Sequence, residues 1–213
     1  MDLGAWIMLL KGAVTTIWVS ATAIVIGVSM GLLIAIIRQR KIPFIDQLLA
    51  LYISIARSTP LVTLVLFIFL ALPALGLQLD VTVAAIMSLA LNTAAFNAEI
   101  WRSAIRNFSM DQREAAYACG MTEWTFFRHI MLPQIFSVSL PALVNEMSFL
   151  IKGSPAVAII GLVDLTRVTN RISSVTYEPL YPILGAGLIY MVIVGLLVKA
   201  QSIAEVKARR LAM

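Results

Sequence analysis

The chain has few charged residues, one cysteine and one histidine. Of its 213 residues, 13% are charged and 61% are hydrophobic, whereas soluble domains average roughly 25% and 45–50%. Cys119 is the only cysteine and His129 the only histidine, so an intramolecular disulfide and a Cys/His zinc site are excluded. Neither residue belongs to a Ser/His/Asp or Cys/His arrangement. The scarcity of charge indicates a membrane protein.

A phosphate-binding loop of the form GxxxxGK[ST] is also missing from the sequence. The chain therefore has no recognisable cradle for the phosphates of ATP, and any ATP-driven function requires a separate ATPase. The net charge is +5, but the basic residues are divided among several loops. They form neither a stripe nor a known nucleic-acid motif, which argues against nucleic-acid binding.

Long apolar segments account for most of what is present. Residues 13–37 carry no charge and exceed the ~20 residues that a helix needs to cross the hydrocarbon layer. Together with four further segments they predict an all-α membrane protein with about five transmembrane helices, in a single domain comprising residues 1–213. The other segments are residues 42–72, 81–101, 134–162 and 180–198.

Basic residues follow the first, third and fifth segments, which predicts that these ends are cytoplasmic. The loop at residues 73–80 has no Lys or Arg, and in the loop after the fourth segment Asp164 and Glu178 partly balance two arginines. We therefore expect the amino terminus outside and the carboxyl terminus in the cytoplasm. The basic residues are Arg38, Arg40 and Lys41, then Arg102, Arg106, Arg113 and Arg128, then Lys199, Lys207, Arg209 and Arg210.

A polar, amphipathic stretch at residues 109–133 interrupts the apolar segments. Ser109 followed by Gln112 fits a capping box, which predicts that a short helix begins here. Gly120 stands where that helix can end in a left-handed turn, and Thr122 can cap a second short helix. The small side chains of this stretch would allow another protein to approach closely, as expected of a cytoplasmic contact.

The order Glu114-Ala115-Ala116, Gly120 and Ile130-Met131-Leu132-Pro133 is similar to the EAA loop of the inner-membrane permease subunits of ABC importers. Within that family the chain resembles the polar amino-acid permeases that serve histidine, arginine and glutamine. The resemblance covers nearly the whole chain. Its other anchors are Arg57-Ser58-Thr59-Pro60-Leu61, Asn97-Ala98-Glu99-Ile100-Trp101-Arg102 and Leu150-Ile151-Lys152-Gly153-Ser154.

The resemblance implies the type I importer permease fold in a bacterial inner membrane. It implies a coupling loop at about residues 102–133, in which Glu114, Ala115, Ala116 and Gly120 contact a cytoplasmic ABC ATPase dimer. ATP and Mg would bind that ATPase, and this chain would hold no cofactor. A second permease chain, identical or homologous, would complete the pathway for a polar amino acid. An extracytoplasmic substrate-binding protein would dock on outer loops that include residues 161–179.

Polar residues within the second and third segments have two possible roles. Pro60 removes a backbone hydrogen bond and predicts a kink or break, where Ser58 and Thr59 either repair the backbone or face the substrate. Charge in hydrocarbon is costly and normally turns toward protein or water, which makes Arg57 and Glu99 pathway candidates. Glu99 could equally pair with a nearby arginine, and we favour that pairing slightly. The candidate pathway residues here are Arg57, Ser58, Thr59, Asn97 and Glu99.

The fourth segment combines charge with helix breakers at Gly153 and Pro155. A broken helix can expose backbone groups where it lines a water-filled cavity. Similar permeases have Lys-Asp-Thr-Ser facing the pathway, so Lys152 could meet a substrate carboxylate, but glycine stands in the acidic position here. Glu146 could supply the missing acid or pair with Lys152. The candidates are Asn145, Glu146, Lys152 and Ser154, and gating or helix packing is the alternative role for them.

The predicted function is therefore that of a transmembrane permease subunit of a binding-protein-dependent ABC importer. The alternative is a non-transporting membrane scaffold that uses residues 109–133 to recruit a cytoplasmic partner. An intramembrane enzyme ranks third, because the available carboxylates and lysines lack a recognised catalytic spacing.

Overall fold

The computed structural model describes residues 2–211, with side chains described as far as Ile203. This part of the chain folds into nine α-helices, one π-helical segment and one 3₁₀ segment, without a strand. Lys207, Arg209 and Arg210, which contribute to the predicted cytoplasmic charge, lie outside the described side chains. The elements are α1 Leu3–Gln39, α2 Pro43–Ser58, α3 Leu61–Ala74, α4 Val81–Arg106, α5 Met110–Ala118, α6 Glu123–Phe126, the π-helical segment Phe127–Met131, α7 Leu132–Gly153, the 3₁₀ segment Ser154–Ile160, α8 Leu165–Thr176 and α9 Leu180–Leu211.

Helix α1 begins at Leu3, well before the apolar segment predicted at residue 13. Asp2 explains the earlier start, because its carboxylate accepts a 2.8 Å hydrogen bond from the Ala5 amide and caps the helix. The 37 residues of α1 correspond to roughly 55 Å at 1.5 Å per residue. That length exceeds the ~30 Å hydrocarbon layer, so α1 extends beyond it.

The second predicted segment, residues 42–72, consists of two helices joined at a sharp bend. α2 and α3 meet at an angle of 114°. Thr59 is extended, with φ −87° and ψ 128°, because the proline after it disfavours the helical conformation. The predicted break at Pro60 is confirmed, and it separates two distinct helices. Four helices in the described residues are long and apolar enough to span a membrane, or up to five spans when the bent pair counts as one.

Helices α1 and α4 form the tightest contact in the molecule, which we call the α1–α4 seam. A methyl group on Gly27 would lie 2.0 Å from Thr93 Cγ2, and one on Gly31 would lie 2.7 Å from Asn97 Cβ. Small residues spaced four apart allow such close approach between membrane helices. The Trp101 indole N–H extends the seam by donating to the Val28 carbonyl oxygen at 3.2 Å. The seam places α4 at the centre of the fold.

Residues 161–179, predicted as a loop, contain the amphipathic helix α8. Its apolar face packs against α1 and α9 through Leu165, Val168 and Ile172. Asp164 caps the helix by accepting a 2.8 Å hydrogen bond from the Arg167 amide, and burial raises the pKa of the Asp164 carboxyl above its ordinary value. Residues at spacings of three and four place these apolar side chains on one face. Residues 161–179 thus contain a packed helix whose other face is exposed.

Candidate coupling loop and membrane pathway

The polar stretch between α4 and α7 forms a short helical hairpin. Ser109 Oγ accepts a bond from the Gln112 amide at 3.5 Å, and Thr122 Oγ1 accepts one from the Thr125 amide at 3.2 Å. Gly120 has φ +75°, a left-handed conformation that glycine adopts without strain. The predicted start of α5, its end and the cap of α6 are therefore confirmed.

Aromatic packing attaches this hairpin to the membrane helices. Phe126 is fully buried, with its ring centroid 5.6 Å from that of Phe108 and 5.8 Å from that of Tyr117. The Arg113 Nε–H donates to the Tyr117 hydroxyl at 3.3 Å. Motion imposed on the hairpin therefore has a packed route to α4 through Phe126 and Phe108.

The two alanines of the EAA sequence lie in different environments. Glu114 and Ala115 are exposed, whereas Ala116 is only 5% exposed. The expectation that both alanine side chains are available to a partner is thus corrected. α5 must turn one face toward its own fold to stay attached, and Ala116 lies on that face. The surface available to another protein carries Glu114 and Ala115.

No loop separates the hairpin from the next long helix, α7. The π-helical segment Phe127–Met131 joins α6 directly to α7. Pro133 lies in the first turn of α7, but the π-helical segment continues directly into that turn, so the missing proline amide falls inside a continuous helical path. Because the helical path is continuous from residue 123 to residue 160, the hairpin is mechanically connected to α7 as well as to α4.

Two of the predicted pathway charges share one cavity. Arg57 and Glu99 line a cavity of about 390 Å³ bounded by residues of α2, α4 and α7. The Arg57 guanidinium lies 5.3 Å from the centre of the Phe96 ring, a cation–π geometry. Glu99 accepts hydrogen bonds of 2.9 and 3.0 Å from Arg102 Nε. The ion pair favoured from the sequence forms, and it leaves Arg57 without a carboxylate partner among the described residues.

The hydroxyls beside the α2–α3 break both bond to the same carbonyl. Ser58 Oγ and Thr59 Oγ1 donate to the Ile55 carbonyl oxygen at 3.1 and 2.8 Å. That carbonyl also accepts the Thr59 amide at 3.0 Å, its ordinary helical partner, so the hydroxyls add bonds to a carbonyl that is already paired. The carbonyl left without an amide by Pro60 is that of Ala56, and Asn92 Nδ2 donates to it at 3.4 Å. A substrate-facing role for Ser58 and Thr59 stays a prediction.

Asn97 and Glu146 meet through Thr93, a residue that the sequence interpretation missed. Asn97 Nδ2 donates to Thr93 Oγ1 at 3.1 Å, and the Thr93 hydroxyl donates to Glu146 Oε1 at 3.4 Å. Asn97 and Thr93 are fully buried, so Asn97 does not face an open path. The spacing of Thr93 and Asn97, four residues apart on α4, could have indicated this pair.

One face of α7 remains open, and we call it the α7 open face. Asn145, Phe149 and Lys152 are exposed on it, at spacings of four and three residues. Lys152 Nζ lies 5.7 Å from the centre of the Phe149 ring and has no ion pair in the described part of the chain. The possible Lys152–Glu146 pair does not form. Ser154, by contrast, is 2% exposed and donates to the Ile151 carbonyl oxygen at 2.8 Å, so it packs inside the chain.

The candidate residues thus form separate groups and not one pocket. Arg57 and Glu99 share a cavity, Asn97 and Glu146 belong to a buried network, and Asn145 and Lys152 lie on the α7 open face. No group of three or more His, Cys, Asp or Glu side chains that could hold a metal ion occurs within the described residues. A polar helical hairpin between helices long enough to span a membrane, with charged groups left open on those helices, defines a multi-pass membrane protein with polar surfaces available to partners.

Comparison with known proteins identifies the family. The chain belongs to the binding-protein-dependent transport system inner membrane component family, whose model matches residues 6–209. It is therefore a transmembrane permease subunit, which favours transport over the scaffold alternative.

Several curated relatives match over most of their length. The arginine transport system permease protein ArtQ of Bacillus subtilis is 36% identical over 191 residues, covering 89% of this chain and 87% of the relative. A putative glutamine transport system permease protein GlnP of Rickettsia typhi is 32% identical over 202 residues, covering 94% and 93%. The nopaline transport system permease protein NocM of Agrobacterium fabrum is 33% identical over 207 residues, covering 92% and 86%.

Solved structures support the same architecture. A chain of an amino acid ABC transporter crystallised with histidines superposes with a TM-score of 0.87 at 34% identity, covering 97% of this chain and 99% of that one. A chain of the MetNI methionine ABC transporter in an inward-facing conformation superposes with a TM-score of 0.83 at 18% identity, covering 98% and 99%. The predicted all-α importer permease fold is confirmed.

Proposed function

We propose that the chain imports a polar amino acid across a bacterial inner membrane as the permease subunit of an ABC importer. Family membership carries this proposal, and relatives named for arginine, glutamine and nopaline transport support the substrate class. The amino terminus is outside and the carboxyl terminus cytoplasmic. The basic residues at the ends of α1 and α4 support that orientation.

A separate ABC ATPase dimer binds ATP and Mg and docks on the exposed face of α5. Glu114 and Ala115 lie on that face, while Gly120 makes the turn that holds α5 against the membrane helices. Closure of the ATPases would move the hairpin as a body, and the Phe126 packing would pass that motion to α4. This role requires no catalytic residue in the permease.

A second permease chain, identical or homologous, covers the α7 open face and shares the pathway with it. Exposed Asn145 and Lys152 on a membrane-spanning helix support this, because polar groups there are expensive unless they meet protein or water. Lys152 attracts the substrate carboxylate. Arg57 and Glu99 line the neighbouring cavity and contribute charge near the pathway.

An extracytoplasmic substrate-binding protein delivers the amino acid to the outer face of the permease. The exposed side of α8 and the residues on either side of it, within residues 161–179, form its docking surface. Arg171 and Tyr177 are exposed there, while the opposite face of α8 is packed against α1 and α9.

Uptake into proteoliposomes tests the proposed function. The permease, the ATPase and the binding protein are reconstituted together, and labelled arginine, glutamine, histidine and leucine are compared with and without ATP. ATP-dependent accumulation of a polar amino acid is expected. Recruitment of the ATPase without movement of any amino acid would instead support a scaffold.

The docking surface is tested separately by Ala115→Asp, which adds bulk and charge on the exposed face of α5. ATPase association should weaken by about tenfold or more, because the added carboxylate would be desolvated without a partner. Ala200→Asp is the matched control, since Ala200 is an exposed alanine on α9. Normal ATPase association in the Ala115 variant would exclude this surface.

A further inference from the structure

A large, positively charged cavity lies beneath the hairpin. It measures about 960 Å³ and is bounded by the ends of α1 and α4, the start of α2 and the α5–α6 hairpin. Two acidic side chains, Asp46 and Glu123, lie in its wall. The six cationic residues that line it are Arg38, Arg40, Lys41, Arg102, Arg106 and Arg113.

Only part of this positive charge is neutralised within the chain. Arg38 Nε lies 2.7 Å from Asp46 Oδ1, and Arg113 Nη2 lies 3.7 Å from Glu123 Oε1. Arg40, Lys41 and Arg106 form no ion pair in the described part of the chain. The carboxyl ends of α1 and α4 each offset only about half a unit charge. The cavity therefore retains an excess of positive charge suited to an anion.

Part of the cavity wall is apolar and aromatic. Its exposed surface comes from Trp124, which is 66% exposed, and from the half-buried Phe108 and Phe127, whereas Phe126 is fully buried. The Trp124 and Phe127 rings stack with their centroids 6.1 Å apart. A small inorganic anion would leave this wall in contact with water, whereas an amphiphilic anion would cover it.

The position of the cavity matches the boundary of the membrane. The uncharged run of α1 ends at Ile37, and the first cavity cation, Arg38, is the next residue. Exposed Trp and basic side chains are enriched at that depth, where lipid headgroups lie. A ligand in the cavity would thus have its charge at headgroup level and its apolar part toward the hydrocarbon.

We propose that this cavity binds an anionic phospholipid, with the headgroup phosphate against Arg40, Lys41 and Arg106 and an acyl chain along the aromatic wall. Basic pockets between membrane helices are suited to such headgroups. The bound lipid neutralises the remaining cations and fills the space between the hairpin and the spans. It thereby supports the hairpin from below, on the side opposite the exposed face of α5.

Native mass spectrometry of the purified full-length chain, titrated with phosphatidylglycerol or phosphatidylcholine, tests the proposal. The variant R40Q/R106Q removes two unpaired cavity cations, and R128Q/K199Q removes two exposed cations that do not line the cavity. Phosphatidylglycerol should bind the wild type more tightly than phosphatidylcholine. The cavity variant should lose about tenfold or more of that affinity, and the control should stay within about threefold of wild type.

Two further measurements distinguish the lipid from other occupants of the cavity: competition by inorganic phosphate, and binding of the ATPase to the cavity variant. Displacement of phosphatidylglycerol by millimolar inorganic phosphate would identify a free-anion site and overturn the lipid proposal. Equal losses in both double variants would show general surface attraction, which would also overturn it. If R40Q/R106Q keeps phosphatidylglycerol but loses the ATPase, the cavity binds a protein. None of these outcomes depends on uptake, so the proposed transport function is tested independently.

Discussion

The α1–α4 seam and the α7 open face both carry polar side chains within membrane-spanning helices, but these side chains differ in burial and in hydrogen bonding. In the seam, Thr93 links Asn97 to Glu146 and the residues around it are buried. On α7, Asn145 and Lys152 are exposed. A polar group that is bonded inside the chain stabilises that chain, whereas one left open in a membrane requires a second surface or water.

We propose that this difference separates residues that hold the permease together from residues that act in transport. Changes in the seam should lower the amount of folded protein before they affect the transport step. Changes on the α7 open face should lower transport in protein that is still folded. The substitutions below test that division, from the largest expected effect to the smallest.

Gly27→Leu should have the largest effect, because the seam has no room for a side chain. Its Cβ alone would lie 2.0 Å from Thr93 Cγ2, and relieving that overlap would separate α1 from α4 at a cost of about 3 kcal/mol or more. Folded protein should be nearly lost, as measured by size-exclusion chromatography of solubilised membranes. Gly195→Leu is the control, since no atom lies within 4 Å of a Cβ there. A normal yield of folded Gly27 variant would contradict the close packing of α1 against α4 at this position.

Thr93→Val keeps the side-chain shape but removes the hydroxyl shared by Asn97 and Glu146. The buried Asn97 amide would then lack a bond and the half-buried Glu146 carboxylate would lose one, which should destabilise the fold by about 1–3 kcal/mol. The measurement is thermal unfolding of the solubilised protein, with uptake normalised to the folded fraction. Thr22→Val is the control, because Thr22 is exposed and bonds only within its own helix. Equal melting temperatures for the two variants would contradict a structural role for Thr93.

Lys152→Met removes the charge from the α7 open face and retains a long side chain. Folding should be unaffected because Lys152 has no ion pair in the described residues to lose. Uptake should fall by about tenfold, equivalent to about 1.4 kcal/mol, if the ammonium group attracts the substrate carboxylate. Lys199→Met provides the control at an exposed lysine on α9. Poor assembly of the Lys152 variant would show that the lysine has a structural role. Wild-type uptake would show that its charge has no role in transport.

Glu99→Gln should have the smallest effect. The Glu99–Arg102 pair is partly exposed, and such pairs contribute about 1 kcal/mol or less. Thermal stability and folded yield should therefore remain close to wild type. A loss of uptake with unchanged stability would indicate that Glu99 acts in the pathway, beside Arg57 in their shared cavity, and is more than a local ion-pair partner.

Features that depend on residues close together in the sequence could be predicted from the sequence. Ser109, Gly120 and Thr122 define the hairpin through local capping and turn chemistry, and Pro60 breaks the second segment because it lacks an amide proton. Helix α8 could also have been predicted from the sequence, because Leu165, Val168 and Ile172 have helical spacing. Its polar composition instead made it resemble a loop.

Features that depend on a distant partner could not be predicted in this way. The close fit of Gly27 requires Thr93, which is far along the chain. The orientation of α5 is set by the packing of Phe126, which decides that Ala116 is buried and Ala115 exposed. Composition locates a polar residue in a membrane segment, but only tertiary packing decides whether it is enclosed like Asn97 or open like Lys152.

Accessibility at position 152 tests the central claim most directly. Lys152→Cys is made in a Cys119→Ala background, because Cys119 is exposed and would also react. The complete importer is treated with a charged, membrane-impermeant methanethiosulfonate reagent, with and without the transported amino acid. The account predicts modification that the amino acid slows and that ATP alters. Reaction only with a membrane-soluble maleimide, unchanged by amino acid or ATP, would show that the α7 open face contacts lipid and would contradict the assignment of this face to the pathway.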